Sequence, residues 1–494
     1  VNKPTTLACV WLCLLLGAPA MAGEPMTLAQ ALRIVLAQHP DIELARVDTA
    51  IARTEIQRTK GLLDPSYSAT ITASDEQVPV ASDFQPSEKR IASLAGSVSK
   101  PLANGGTLSA DINYSRTSQG FVSPLASQLA KFNPEYQNQV DISYRHPLLR
   151  GAGRPDYRES LTAARADTRA AEIKQRSIAH VLSLKVLNAY YQLAGDDIRV
   201  ELARQAVARA RKLLAYQRSR EHFGLIEQAD RLQAEALLAA RQTELQQAIA
   251  QRKASAATLN RLMLRRPDAP IDLPAADIRV VPETPDIRKA TRQAELQRPE
   301  LQALAAELKA AEARLTAARD VGRMQLDAVA KLGTRSLDSS ASLAAARGLS
   351  ISERFASLSL EMSDTVRNRR VKADIRKAEL TRQRLIAERA QVLEQIRDEL
   401  ASAITAINAG RPTLKLARRE ARAEKRKFDA EMRRYREGRS DTATLVQFEG
   451  DLRSAELRAE LQYLSLLLAE RQLAWARGSL LQELGLKMAG GDGQ

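Results

Sequence analysis

The chain has 494 residues, 44% hydrophobic and 27% charged but only 4% aromatic. That length allows two or three ordinary domains or one elongated one, and richness in Ala, Leu, Glu, Gln and Arg suits long packed helices better than a large globular core. The apolar residues fall in periodic runs, which excludes disorder, and the net charge of +15 is interleaved with Asp and Glu along helical tracts, which favours solvated helix faces over a nucleic-acid surface.

The N-terminus reads as a signal peptide over residues 1–22. Lys3 supplies the positive charge, Leu7 to Leu16 the apolar region, and Ala20-Met21-Ala22 the cleavage site. Cys9 and Cys13 both lie inside it, so the mature chain, starting at Gly23, is expected to lack disulfides and cysteine metal sites. Neither cysteine sits at the junction, which argues against a lipoprotein. Beyond residue 22 no run of 18 apolar residues occurs, so a membrane-spanning helix is excluded. A β-barrel is not, because its alternating strands carry a weak hydropathy signal.

Of the 19 prolines, twelve precede residue 156, six lie from Pro267 to Pro299, and one is Pro412. Proline breaks helix interiors, so the proline-free tracts are helix candidates. Glu159 to His222 predicts one long helix with Gly195 as its weak point. A second is predicted from about Asn368 to Arg436, with Gly410-Arg411-Pro412 kinking or splitting it.

Strand patterns occur in two places. Tyr67, Ala69, Ile71 and Ala73 alternate with Ser and Thr. Leu108 to Tyr114 and Val140 to Tyr144 alternate likewise, as later do Leu326 to Leu332 and Leu358 to Met362. Period two with one polar face means a sheet wet on one side. In an exported chain, apolar outside and polar inside is the pattern of an outer-membrane barrel; an ordinary soluble hairpin is the alternative. Eight of the 19 aromatics lie between Tyr67 and Tyr157, where a barrel places its interfacial girdles.

The chain also repeats itself. Leu202-Ala203-Arg204, Gly224, Ala229, Gln233 and Glu235 match Leu416-Ala417-Arg418, Gly438, Ala443, Gln447 and Glu449 at an offset of 214. Upstream, Ala31, Gln38, Pro40 and Ala52 match Ala290, Gln297, Pro299 and Ala311 at an offset of 259. The first copy therefore carries about 45 extra residues, between Ser74 and Tyr136. The expected organisation is a first repeat over 23–265, with strands about 66–147 and a helical hairpin tipped at 224. A linker over 266–285 follows. The second repeat covers 286–488, with strands about 324–363 and a tip at 438, and the tail is 489–494.

No catalytic constellation stands out. His39, His146, His180 and His222 lack metal-ligand spacing, and there is no G-x-S-x-G and no phosphate-cradling loop. The many acidic residues sit in ladders with Arg, as helix electrostatics. No enzyme, cofactor or metal is expected.

Met26-Thr27-Leu28-Ala29-Gln30-Ala31-Leu32 with His39-Pro40-Asp41, then Pro147 to Arg154, Asn188 to Tyr191, Phe223-Gly224-Leu225 and Leu259 to Leu262, resembles the TolC-like outer-membrane efflux proteins. The likeness runs over essentially the whole mature chain. It implies a mainly α fold with a β-barrel portion, an internally duplicated protomer completed as a homotrimeric α-barrel and β-barrel in outer-membrane lipid. It also implies a passive exit duct of a tripartite efflux or type I secretion system, working with a periplasmic adaptor and an inner-membrane pump. The other reading of the sequence is a periplasmic coiled-coil adaptor or structural protein outside the membrane. The first strand region departs from the family, offering three or four strands where two are usual. Lys100 to Gly106 resembles a hairpin turn within it, so either strands are added to the barrel or a hairpin projects.

The same resemblance places adaptor contacts at the turns Gly224, Leu225, Gly438 and Arg439, and a periplasmic gate at Asp230 and Tyr435, joined by a hydroxyl-to-carboxylate bond. Thr444 and Gln447 stand where the family often carries an acidic ring. With Arg436 and Arg439 nearby, this predicts weak cation selectivity or a mild anion preference, measurable as a reversal potential under a salt gradient.

Overall fold

The computed structural model describes residues 25–223, 226–274, 285–348, 350 and 353–486. The expected signal peptide, the turn residues Gly224 and Leu225, half of the linker (275–284) and the tail lie outside the described residues. In chain order the helices are α1 (Leu28–Gln38), α2 (Pro40–Lys60), α3 (Pro124–Leu129), α4 (Pro155–His222), α5 (Gln228–Leu262), α6 (Ile287–Gln297), α7 (Pro299–Val321), α8 (Ala341–Gly348), α9 (Arg369–Arg436), α10 (Thr442–Ala476) and α11 (Leu480–Glu483). The strands are β1 (Ser66–Gln77), β2 (Pro86–Pro101), β3 (Thr107–Phe121), β4 (Glu135–Pro147), β5 (Gln325–Asp338) and β6 (Arg354–Ser363). This is the mixed class, mainly helical with one sheet, that the sequence implies.

The two long helices are each 68 residues, and each is followed by a helix of 35. Their bounds repeat at the sequence offset of 214, since Pro155 and Arg369 open them and His222 and Arg436 close them. The first strands of the two halves, Ser66 and Gln325, begin 259 apart. β2 and β3 have no counterpart.

The chain divides into two compact units, and each draws on both halves of the sequence. The first contains α1, α5, α10, α11 and the tip-ward parts of α4 and α9. A Thr27–Gln30 capping box starts α1. Near the tips, Leu213, Leu214, Leu237, Phe428, Leu445 and Leu452 form a buried core. Both long helices are continuous, α4 through Gly195 and α9 through Gly410-Arg411-Pro412, so the second is not split there. A Cβ at Gly195 would meet Leu464 Cδ2 at 3.3 Å, and one at Gly410 would meet Leu466 Cδ1 at 3.2 Å, so both glycines serve close helix approach. α9 runs unsplit through Pro412. Pro412 and Asn408 are both exposed, so water can satisfy the carbonyl that the proline leaves without its usual donor.

Polar groups in this unit are buried in pairs. Asp196 accepts from Arg199 Nη1 and Ser255 Oγ, both at 2.6 Å. Asn260, in one of the motifs that carry the family resemblance, donates to the Pro267 and Ala269 carbonyls and fixes the chain's exit from α5. Trp475 stacks on His180 at 4.5 Å and donates to its carbonyl. Glu449 is gripped by Arg241 at 2.8 Å and Arg209 at 3.2 Å.

The second unit holds the sheet, α2, α7, α8 and the remaining parts of α4 and α9. Ala163 and Ala166 of α4 pack on Ala310 and Ala313 of α7, where small side chains permit close approach. Arg53–Glu172 and Lys174–Glu307 bridges flank the same helices.

The sheet has six strands in sequence order, every neighbouring pair antiparallel. Directly opposed residues share a face, so the register decides what each face presents. One face carries Tyr67 and Ile71, Leu94 and Val98, Leu108 and Ile112, Ile142, Leu332, and Leu358, Leu360 and Met362. All are exposed; Tyr67, Ile71 and Leu358 are 88%, 83% and 80% exposed. The other face carries Ser68, Thr70 and Thr72, Ser97 and Ser99, Asp111 and Asn113, Asp141 and Ser143, Lys331, and Ser357 and Ser359. There the Asp141 carboxylate is 3% exposed as a residue and pairs with Lys331 at 2.8 Å, while Arg145 bridges Asp327 and Glu361. Gly333 sits between Asp141 and Phe355, where a Cβ would lie 2.6 Å from Asp141 Cβ. β2 and β3, from the first strand region, pair within this sheet between β1 and β4.

Among the described residues no helix is long and apolar enough to cross a membrane.

The Glu449 cluster generates a prediction. Glu449→Ala removes the buried carboxylate shared by Arg241 and Arg209 and leaves Arg241 with Glu244 alone, at 2.9 Å; breaking a buried pair in this way costs about 3 kcal/mol. A lower unfolding midpoint, followed by the helical signal in urea, is the expected result. Removing both charges together, with Arg241→Met and Glu449→Leu, should recover most of it.

Candidate functional site at the hairpin tips

The second hairpin turn is built by its own termination signals. Gly438 has φ +73°, with nothing within 4 Å of where a Cβ would stand, so backbone conformation alone selects glycine. Arg439 N–H donates to the Arg434 carbonyl and Gly438 N–H to that of Tyr435, which ends α9 in a Schellman motif. Arg439 also pairs with Glu437. Asp441 then starts α10, accepting from Thr444 N–H at 2.7 Å and Thr444 Oγ1 at 3.0 Å. Those bonds hold the Asp441 carboxyl below its usual range, the Thr444 backbone N–H being the larger cause. At the first tip Glu227, which aligns with Asp441, makes no side-chain cap. Salt bridges of Arg231 to Glu221 and Glu235, both at 2.8 Å, flank that tip instead.

Behind these turns lies a buried polar cluster centred on Thr442, which is 2% exposed. Its Oγ1 donates to Asp230 Oδ1 at 2.7 Å, receives Gln217 Nε2 at 2.6 Å and lies 3.1 Å from the Tyr435 hydroxyl. A hydroxyl has one proton and two lone pairs, so these three partners saturate it. With its proton given to Asp230, it can only accept from Gln217 and Tyr435. Burial raises the Tyr435 phenol above its ordinary range, with the bond to Thr442 opposing that rise.

The expected residues are therefore brought together, with one change of connectivity. Asp230 and Tyr435 are joined through Thr442, and the direct bond expected between them is replaced by this relay. Thr442 stands between them because it opens α10 one residue after the Asp441 cap. Thr444 is committed to the Asp441 cap, and Gln447 is exposed. Sequence reasoning missed Thr442 and Gln217. The only available signal was a small hydroxyl residue beside an N-cap, too common to single out. Among the described residues no group of three or more His, Cys, Asp or Glu is placed to hold a metal.

Two predictions follow from this geometry. Thr442→Val keeps the shape and removes the hydroxyl, leaving buried groups without their shared partner, at about 2 kcal/mol. Amide exchange at the tip should quicken more than tenfold, while exchange around Asp196 stays unchanged. Separately, because the Asp441 pKa is lowered on folding, its contribution is present above the usual carboxylate range and is lost as pH falls through the lowered value. Protection of Thr444 N–H, taken relative to its intrinsic exchange rate at each pH, should therefore fall in acid, and Asp441→Asn, which still caps, should flatten that dependence.

No family model matches the sequence, and no curated protein matches it. Solved structures do. The chain is similar to the outer-membrane channel OprN, at 19% identity and a TM-score of 0.64, over 92% of this chain and 90% of that one. It is similar to the outer membrane protein VceC of Vibrio cholerae, at 15% identity and 0.64, over 94% and 97%. It is also similar to the CmeC outer membrane channel of Campylobacter jejuni, at 14% identity and 0.60, over 99% and 98%. These likenesses extend across nearly the full length of both chains, helices and strands together, and the chain has the TolC-like fold of the outer-membrane channels.

Proposed function

We propose that the chain is an outer-membrane exit duct, a homotrimer through which cargo passes passively from periplasm to exterior, coupled to a periplasmic adaptor and an inner-membrane pump. The observation that carries this is the sheet: one face carries an exposed apolar band across all six strands, while the opposite face holds Ser, Thr and ion pairs at the same levels. A water-soluble sheet buries its apolar face; a membrane barrel presents it to lipid. The adaptor reading gives no reason for such a face. The tips Gly224, Leu225, Gly438 and Arg439 are the proposed adaptor contacts, and the Asp230–Thr442–Tyr435 relay the proposed periplasmic lock. Nothing in this reading requires catalysis.

The test is fractionation followed by bilayer recording. The chain should require detergent for release from the outer-membrane fraction and run as a trimer. Recovery from the soluble periplasm would sink the proposal. In planar bilayers Thr442→Val, Asp230→Ala and Tyr435→Phe should each raise conductance, with Thr442→Val largest because it severs all three bonds. Unchanged conductance in all three would leave a duct without this lock. Wild-type reversal potentials should show weak cation selectivity or a mild anion preference.

A further inference from the structure

The two outer strands of the sheet, β1 and β6, each have one edge without a neighbour among the described residues. Both are long enough to cross a bilayer, at 12 and 10 residues. Ser66 to Ser74 carries no charge and no proline, and nor does Phe355 to Leu360. Such an edge lacks the devices that protect a solvent-facing strand. Six is an even number, so β1 and β6 run in opposite directions. A second copy can therefore set its β1 against β6 and continue the antiparallel order.

The sheet also shows what β2 and β3 are for. They have no counterpart in the second half, yet β1 and β4 do not touch. β1 pairs with β2 over twelve residues and β4 with β3 over eleven. The apolar row passes unbroken through them, by Leu94 and Val98 of β2 and Ile112 of β3. A hairpin projecting into water would have no use for one greasy face in register with its neighbours. On β4 the apolar-face positions Tyr136 and Tyr144 are eight residues apart, or about 26 Å along the strand and about 20 Å once tilted. Tyr114 lies 6.4 Å from Tyr136, ring to ring, at the same level. An apolar band between aromatic rims is what a bilayer selects.

We propose that three copies join β6 to β1 in turn and close an eighteen-stranded barrel, with β2 and β3 as wall strands. This rests on the trimeric duct reading. Barrel diameter grows roughly linearly with strand number, so the lumen is about 1.5 times as wide, and about 2.3 times as large in cross-section, as one built without β2 and β3. The inserted hairpin thus sets the calibre of the outer-membrane exit and the bulk of cargo that can leave.

Cysteine cross-linking in intact outer membranes tests it, in a background with Cys9→Ala and Cys13→Ala. For the seam, one cysteine replaces Tyr67, Ala69 or Ile71 and another replaces Leu358, Leu360 or Met362. At least one of the nine pairs should give an oxidation ladder that stops at three protomer masses. For the wall, Ile71→Cys with Leu94→Cys, and Ile112→Cys with Val140→Cys, should cross-link within a protomer, whereas Ile71→Cys with Ile142→Cys should not. A β1–β4 cross-link in place of β1–β2 would mean that the hairpin leaves the wall, and the eighteen-stranded barrel would fall while the duct stood. A ladder stopping at two, or a detergent-stable trimer with no seam product, would overturn it equally. A soluble monomer would instead defeat the duct reading itself.

Discussion

Backbone N–H and C=O groups in hydrocarbon must be hydrogen-bonded, and this sheet satisfies them everywhere except along two edges. That single deficit organises the rest of the molecule. In the proposed duct the apolar face meets lipid, and the two open edges are closed by pairing with further copies of the chain. The helices follow from the same need. Each half of the chain has one 68-residue helix that ends in a turn and is followed by a 35-residue helix. Two copies of one plan therefore reach their tips with matched lengths, which lets Gln217 and Asp230 of the first hairpin meet Thr442 and Tyr435 of the second.

Much of this was legible in the sequence, because the relevant signals are periodic. The long helices were expected over 159–222 and about 368–436, and run from 155 and 369 to those ends. Five strands show clean alternation. β2 was not named as a strand because Ile91 and Ala95 fall on its polar side and Gly96 on its apolar one, which blurs the period of two. That the helices are continuous at Pro412 and Gly195 could not be read locally, for a common reason. Local propensity registers the residue, but whether a helix survives it depends on solvent at Asn408 or on a neighbouring helix at Leu464, which lies far along the chain.

The tip was legible in part. Asp230 and Tyr435 could be placed, because the resemblance to the TolC-like proteins carries both onto the tips. The Thr442 relay could not, because it joins residues 225 and 212 positions apart in sequence. Tertiary hydrogen bonds leave no period. The duplication even obscured it: at the offset of 214, Thr442 aligns with Gln228 and Tyr435 with Glu221, so the two tips share a frame while differing in chemistry. One is laced by Arg231 and its carboxylates, the other by a hydroxyl.

That hydroxyl has a further consequence. Three bonds converge on one oxygen, and its single proton fixes the sense of all three. If Asp230 is drawn away, Thr442 loses the acceptor of its proton but keeps both lone pairs, and Gln217 and Tyr435 can go on donating to it. The tip therefore yields in steps: the first hairpin stays tied to α10 through Gln217 after Asp230 has gone, and only loss of the shared oxygen itself would free every partner at once.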